Sequence, residues 1–506
     1  MKFYNSIVSY VMKRRVHQID FFKKYPLEVQ KDLFFELIDT AKDTEFGKKH
    51  FFEKIQNVAD FKNNVPIQSY DSLKEYIDRI RDGEQNILWP TEIKWFAQSS
   101  GTTAGRSKFI PISKESLEYC HFKGGKDLMS LYLNHFPETN VLDGKSLALG
   151  GSSSIHSYES KSHYGDLSAI ITENLPFWFN IVKTPSKAVA LHPNWEDKIG
   201  LTAEIVSKEN VTNLSGVPSW NLILLQKILE ITGKENILEV WPNLELFIHG
   251  GVNFEPYRKQ YEKLIPSEKM QYLETYNASE GFFGMQDELN STEMLLMLDY
   301  GIFYEFLPME ELGKENAQTL QLEDVSLDTN YAIIISTNGG LWRYMVGDTI
   351  KFTNLNPYRI KLSGRTKYFI NIFGEELIED NANQAIKKAC IETNAAVKEY
   401  LVAPIFPNEF GKGGHEWIIE FAQAPKNMLD FTSALDKYIR EENSDYDAKR
   451  FKDMALQMPK IHSVTENTFY NWLKSKGKIG GQHKVPKLCT DRETIEEILT
   501  LIDERN

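Results

Sequence analysis

The stretch WFAQSSGTTAGRSKFIPIS, Trp95 to Ser113, sets the small or hydroxylated residues Ser99, Ser100, Gly101, Thr102 and Thr103 between an aromatic run and the basic Arg106 and Lys108. Glycines let backbone N–H groups turn toward an anion, hydroxyls donate further hydrogen bonds, and a lysine neutralises charge, so this composition suits a phosphate. A Walker loop needs GxxxxGK followed by Ser or Thr. Here only three residues separate Gly101 from Gly105, and Arg106-Ser107-Lys108 replaces the Lys-Ser/Thr pair, so the Walker reading fails. Taken alone, the loop reads equally as a solvated turn.

Three further stretches carry chemistry of the same kind. In LETYNASEGFFG, an apolar run delivers Tyr276, small residues and one acid, Glu280. A lone carboxylate beside phosphates is what Mg²⁺ uses, and a tyrosine ring can cover a flat base; an exposed Glu on a surface turn has the same pattern. In GGLWRYMVGDTIKF, Asp348 follows Gly347 at the expected end of a hairpin turn. One carboxylate there can accept from both vicinal hydroxyls of a ribose, although Gly-Asp is also a common turn dipeptide. In GKIGGQHKVPKL, a glycine-flanked loop presents Lys484, which either serves solubility or swings into a site from another domain.

These residues need elements to hold them. The first hundred residues read as helices, PLEVQKDLFFELIDTAKDT showing apolar positions at three- and four-residue steps. Beyond them SLALGGS, ENVTNLSGVPS, NLELFIHGG, KMQYLETYNAS and YAIIISTNGG are short apolar runs ending in Gly, Ser or Asn, as in an α/β sheet that binds ligands beyond its strand ends. From about Thr366 the pattern changes to a smaller α+β domain, with YLVAPIFP and GGHEWIIEFAQA as strands and FTSALDKYIREENSDYDAKRFKDM as a charged helix with a solvated face.

Composition narrows the classes. The 506 residues exceed one ordinary core, and a net charge of −13 repels nucleic acid. Cys120, Cys390 and Cys489 have no CxxC spacing, which fits a reducing cytoplasmic setting. No apolar run approaches the ~18 residues of a membrane span. The N-terminal MKFYNSIVSYVMKRRVHQIDFF, interrupted by Asn5, Ser6 and Lys13-Arg14-Arg15, reads as a half-buried amphipathic helix. No GxSxG elbow and no HxxxH pair appear, which disfavours a hydrolase and a zinc enzyme; single histidines such as His249 read as packing residues.

Five stretches, SSGTTAGRSKFIP, YNASEGFFG, RYMVGDTIKF, GRTKYFINIFGEELIED and GGQHKVPKL, agree in order and together resemble the acyl acid amido synthetases, the auxin-responsive Gretchen Hagen family and its bacterial relatives. That family belongs to the superfamily of acyl-CoA synthetases, nonribosomal-peptide adenylation domains and luciferases. The resemblance implies an α/β fold: a large N-terminal adenylate-forming domain, 1–366, with mixed sheets and flanking helices, and a small mobile α+β domain, 367–506. It implies ATP and Mg²⁺, a carboxylic acid that attacks the α-phosphate, and an amine, in the family an amino acid, that takes the acyl group and releases AMP. By position, Ser99 to Thr103 would cradle phosphates with Lys108 nearby, and Glu280 would hold Mg²⁺. Tyr276 with Gly250 and Gly251 would bracket adenine, Asp348 and Arg365 would grip the ribose, Lys367 would be the domain hinge, and Lys484 would reach the α-phosphate. Two alternatives stand beside this reading: an acyl-CoA or acyl-carrier ligase, and a catalytically silent nucleotide-binding protein.

Overall fold

A computed structural model of the chain describes residues 15–99, 108–150, 155–158, 161–176, 179, 181–192, 194–251, 254–314, 316–366, 369–370, 372, 375, 377–406, 413–443, 446–447, 450, 456–477, 484–489 and 491–503. Among the described residues, the regular elements up to Arg81 are helical as expected, and the first strand begins at Trp95. Residues 15–24 form a helix with Ile19 and Phe22 buried and Phe21 exposed. Helix α1 (Pro26–Ala41) starts at a proline, which loses nothing at a position whose N–H has no helical partner. Helix α2 (Tyr70–Arg81) is closed by reciprocal hydrogen bonds between Ser69 and Ser72 and buries Leu73, Ile77 and Ile80 at helical spacing.

Strands β1 (Trp95–Ser99) and β2 (Lys108–Ile112) pair antiparallel, placing Ser99 opposite Lys108. After helix α3 (Phe122–His135) come β3 (Lys145–Leu149), β4 (His156–Tyr158), β5 (Ser162–Gly165), α4 (Leu167–Asn174) and β6 (Lys183–Thr184). Next are α5 (Trp195–Val206), β7 (Val211–Gly216), α6 (Pro218–Thr232), β8 (Leu246–Gly250) and α7 (Glu255–Leu264). Then follow β9 (Gln271–Ala278), β10 (Gly281–Met285), β11 (Met294–Leu296), β12 (Ile302–Pro308), β13 (Asn330–Thr337), β14 (Tyr344–Leu355) and β15 (Tyr358–Arg365).

Eleven strands form one mixed sheet in the order β12-β13-β14-β15-β11-β10-β9-β8-β7-β3-β6, and β2-β1-β5-β4 form a second sheet. From β9 to β6 the pairing is parallel, the half in which strand ends face ligands. β13 is buried from Tyr331 to Thr337, which explains its unbroken apolar run. Arg343 ties the N-terminal helices to this sheet: its guanidinium donates to both Glu305 oxygens at 2.9 Å and to the Val65 carbonyl at 2.7 Å. Removing one partner of such a buried pair costs roughly 3–5 kcal/mol.

The smaller C-terminal domain has β16 (Phe369–Ile370), β17 (Leu377–Ile378), α8 (Glu379–Thr393), β18 (Ala396–Ile405), β19 (Gly414–Gln423), α9 (Met428–Glu442), β20 (Lys460–Val464), α10 (Thr468–Ser475) and α11 (Glu493–Asp503). The order β18-β19-β20 makes a three-stranded sheet. Its cores, Ile370 to Leu488 and Leu401 to Ile498, involve none of the residues of the larger domain's clusters. No described helix is long and apolar enough to cross a membrane.

Two expectations need correction. Gly347-Asp348 is no hairpin end: both residues lie inside β14, where Gly347 adopts φ +96° just before a register shift against β15. The charged stretch after Thr432 is not one solvated helix either. It ends at Glu442, where the Asn443 side chain caps Tyr446 and bonds the Glu375 carbonyl. One face of α9 is core, and its Asp436 makes a buried ion pair with Arg450 at 2.7 Å.

Candidate active site

The carboxyl ends of β7, β8 and β9 open into one cavity of about 2410 Å³ whose wall comes from both domains. A small-molecule site typically needs some 300–1,000 Å³, so this one has room for a nucleotide and a second substrate together. Ser99, Gly250, Gly251, Tyr276, Glu280, Asp348, Arg365 and Lys484 all line it. Residues that the sequence places up to 385 positions apart therefore share one space.

β14 and β15 carry the first cluster. Asp348 faces Arg365 across the ladder, and Arg365 Nε donates to Asp348 Oδ1 at 2.7 Å. From β9, the Tyr276 hydroxyl donates to Asp348 Oδ2 at 2.7 Å. Both carboxylate oxygens are thus oriented before any ligand arrives, while lone pairs remain for further donors. The Tyr276 ring packs on Phe283.

A two-residue turn, Ser279-Glu280, joins β9 to β10, since Ala278 pairs with Gly281. Glu280 occupies that tip in the cavity wall. Burial pushes its carboxyl above the usual range; the Lys108 charge opposes this and Asp348 reinforces it. Such a carboxylate gains from a cation. No group of three His, Cys, Asp or Glu converges among the described residues, so a divalent ion here would draw most of its ligands from phosphate oxygens. That donor set fits Mg²⁺.

At the end of β8, glycine is required twice. A Cβ on Gly250 would stand 2.5 Å from the Thr275 carbonyl oxygen, and Gly251 has φ +81°. The Gly251 carbonyl accepts from Lys484 Nζ, which comes from the C-terminal domain. Lys484 is exposed and lines the cavity; crowding by protein lowers its pKa to about 8, with Arg365 adding repulsion while Asp348 and Glu379 favour the ammonium. A second contact between domains, Lys474 to Glu196 at 2.8 Å, is an exposed pair of the kind water and salt screen.

Ser100, Gly101, Thr102, Thr103 and Lys367 lie outside the described residues. Lys108 is placed beside Glu280 electrostatically but is not among the cavity-wall residues. The structure adds groups that the motifs did not single out. Glu379, in the first turn of α8, faces Lys487, Arg365 and Lys484 electrostatically, and burial raises its pKa. Lys183 and Lys198 are buried in the wall near β3. Lys198 was detectable: it falls in register with the buried Thr202 and Val206 at four-residue steps, on the face a helix gives to its core. Lys183, alone in the short segment FNIVKTP, offers no such period.

Comparisons with known proteins bear on the family and the fold. Family models match in chain order: the GH3 family N-terminal domain over residues 15–270, the GH3 family central domain over 295–365, and the GH3 family C-terminal domain over 380–493. The indole-3-acetic acid-amido synthetase GH3.3 of Arabidopsis thaliana is 23% identical, the alignment covering 93% of this chain and 90% of the relative. The 4-substituted benzoates-glutamate ligase GH3.12 of the same plant is 24% identical, over 94% and 95%. The jasmonoyl–L-amino acid synthetase JAR4 of Nicotiana attenuata is 25% identical, over 91% and 90%. In fold, the chain superposes on a GH3.15 acyl acid amido synthetase with a TM-score of 0.79 at 17% identity, covering 96% of each chain. It superposes more loosely on a 2-hydroxyisobutyryl-CoA ligase in the postadenylation state, with a TM-score of 0.60 at 11% identity, covering 94% and 91%. With three successive family models matched between residues 15 and 493, the chain belongs to the GH3 family.

Proposed function

We propose that this chain is an ATP-dependent acyl acid amido synthetase. A carboxylate attacks the α-phosphate of ATP, forming acyl-adenylate and releasing pyrophosphate; an amine of the amino-acid class then attacks the acyl carbon, forming an amide and releasing AMP. The observation that carries this reading is the reach of Lys484 from the small domain to Gly251, into the cavity that holds Glu280 and the Asp348–Arg365 pair.

Each residue has a chemical task. A carboxylate approaching a polyanion is repelled, and fixed donors at the phosphorus oxygens lower that barrier. Lys484 supplies such a donor, and Ser99 with Ser100, Gly101, Thr102 and Thr103 cradles the phosphates beside Lys108. Glu280 would hold Mg²⁺, which when bound neutralises phosphate charge. Asp348, oriented by Arg365 and the Tyr276 hydroxyl, accepts from the ribose hydroxyls. The Tyr276 ring and the Gly250-Gly251 backbone bracket the adenine. The first step needs no general base, because the acid is already ionised at neutral pH.

We divide the chain at 366/367, between a core that ends at Ile360 and one that begins at Ile370, with Lys367 as the hinge. Rotation there would withdraw Lys484 and admit the amine. The CoA-ligase alternative shares the architecture, but relatives named as an amido synthetase, a benzoates-glutamate ligase and a jasmonoyl–L-amino acid synthetase favour an amine.

Carboxylate-dependent ATP–pyrophosphate exchange tests the proposal, using aryl, indole and fatty acids with Glu280→Ala and Lys484→Ala as controls. Exchange lowered on the order of 10²–10³ by either substitution is expected. Exchange that survives both would remove these residues from the mechanism.

A further inference from the structure

The adenylation chemistry leaves a polar group of the cavity wall unused. Just before α3 the helix widens into a π turn, Leu117–His121, in which the Phe122 N–H donates to the Leu117 carbonyl. Such turns are rare and recur at functional sites. Its last residue, His121, is 5% exposed and lines the cavity. His121 Nδ1 stands 3.0 Å from Oδ1 of Asn277, an exposed residue of β9 that lines the same cavity. An amide oxygen only accepts, so Nδ1 carries the proton and Nε2 keeps a lone pair. Nε2 has no hydrogen-bond partner among the described residues. Burial lowers the ring's pKa to about 4, so at neutral pH it is an uncharged acceptor.

A buried acceptor without a donor is costly, and a substrate can supply the donor. The surroundings indicate which substrate. Tyr276 and Asn277 are successive residues of β9, and their side chains part: the Tyr276 hydroxyl reaches Asp348 on the side proposed for the ribose, whereas Asn277 reaches the turn before α3. Along that helix His121, Gly124 and Leu128 follow at three- and four-residue steps, and all line the cavity. A Cβ on Gly124 would stand 2.5 Å from the Phe282 ring, so α3 sits close on β10 and, with the Asn277 bond, holds the imidazole in place. Met129, Phe282 and Met294 extend the apolar wall. A phosphate or a carboxylate only accepts and gains nothing from Nε2. A largely apolar wall with an uncharged acceptor instead suits the body of the acyl acid, which one hydrogen bond would orient.

We propose that His121, oriented by Asn277, determines acyl specificity: its Nε2 accepts a hydrogen bond from a hydroxyl or N–H group on the body of the acid, so that this enzyme selects acids carrying such a donor. The inference rests on the adenylation reading above and names the substrate class of that site.

The test compares ATP–pyrophosphate exchange, without amine, on aryl and alkyl acids matched in size: hydroxyl or amino against methyl, with methoxy as an arm that can only accept. Wild type is expected to favour a donor-bearing acid over its methyl counterpart by ~10–100-fold in kcat/KM, the range set by leaving a buried polar group unpaired. His121→Leu should bring that ratio toward one. Asn277→Ala, at an exposed position that spares the core, removes the group that fixes the tautomer and should lower the ratio as well. Equal use of donor-bearing and methyl acids by wild type, a ratio unchanged in the variants, or a preference for methoxy would overturn the proposal. So would variants altered only in the KM of the amine in the complete reaction, which would assign His121 to the acceptor. Calorimetric binding of the same acids separates this inference from the adenylation reading. A donor preference in binding that the variants lose, with no exchange on any acid, keeps the subsite and removes the adenylation; exchange without the preference does the reverse; neither binding nor exchange removes both.

Discussion

Replacing Lys183 with Met should make the protein more stable at pH 7. The ammonium is 8% exposed, and burial together with the Lys187 charge lowers its pKa from 10.5 to about 8. At 1.36 kcal/mol per pH unit, this is a penalty of about 3 kcal/mol on the charged form. Methionine is unbranched and adaptable enough to fill the space, but the bond to Thr172 is lost, at a cost of about 1 kcal/mol. The net expectation is a gain of about 2 kcal/mol. The pH dependence carries the sharper test. Because the folded pKa lies below the unfolded one, the unfolded chain binds more protons between pH 8 and 10.5, so wild-type stability rises with pH through that window. The Met variant lacks this rise. Urea transitions of the larger domain, measured for both proteins from pH 7 to 10.5, should show the variant's advantage disappearing by the alkaline end. A variant less stable at pH 7, or a difference independent of pH, would refute the claim that burial penalises the Lys183 ammonium.

Other expectations can be checked alongside it. In its proposed role as a cation, Lys484, whose pKa is lowered to about 8 by crowding, should make kcat/KM for ATP fall as pH rises past about 8, and Lys484→Arg should carry that limb to higher pH; an unchanged limb would assign it to another group. Gly250→Ala would place a methyl 2.5 Å from the Thr275 oxygen, forcing strand ends apart at a cost of ~1–3 kcal/mol and weakening ATP binding. Gly125→Ala, in α3 with nothing within 4 Å, should instead stabilise by up to about 1 kcal/mol, both read from denaturation midpoints. Lys367→Pro should impair turnover while leaving ATP binding nearly intact; equal loss of both in calorimetry and kinetics would argue against a hinge.

Much of the candidate site was legible because its residues stand in local patterns. Glu280 stood out as the single acid between small residues, and the structure puts it at the tip of a two-residue turn. The strand runs around Gly250 and Tyr276 were readable from apolar segments that stop at small residues. Asp348 was singled out for its chemistry but misplaced in geometry: Gly-Asp commonly marks a turn, whereas here long-range pairing with Arg365 keeps it within a strand. Partnerships across the fold left no mark in the sequence. Nothing at Tyr276 announces that its hydroxyl is committed to a carboxylate 72 residues away. The end of α9 was missed for a similar reason, because the capping role of Asn443 depends on residues from α8 and the loop before it.

Product analysis tests the central claim most directly. The acid that supports exchange is incubated with ATP, Mg²⁺ and either a panel of amino acids or CoA, and AMP and acyl products are quantified by mass spectrometry. The account predicts one amide formed per AMP released with an amino acid, and no thioester with CoA. Thioester formed with CoA while every amine leaves the adenylate untouched would contradict it.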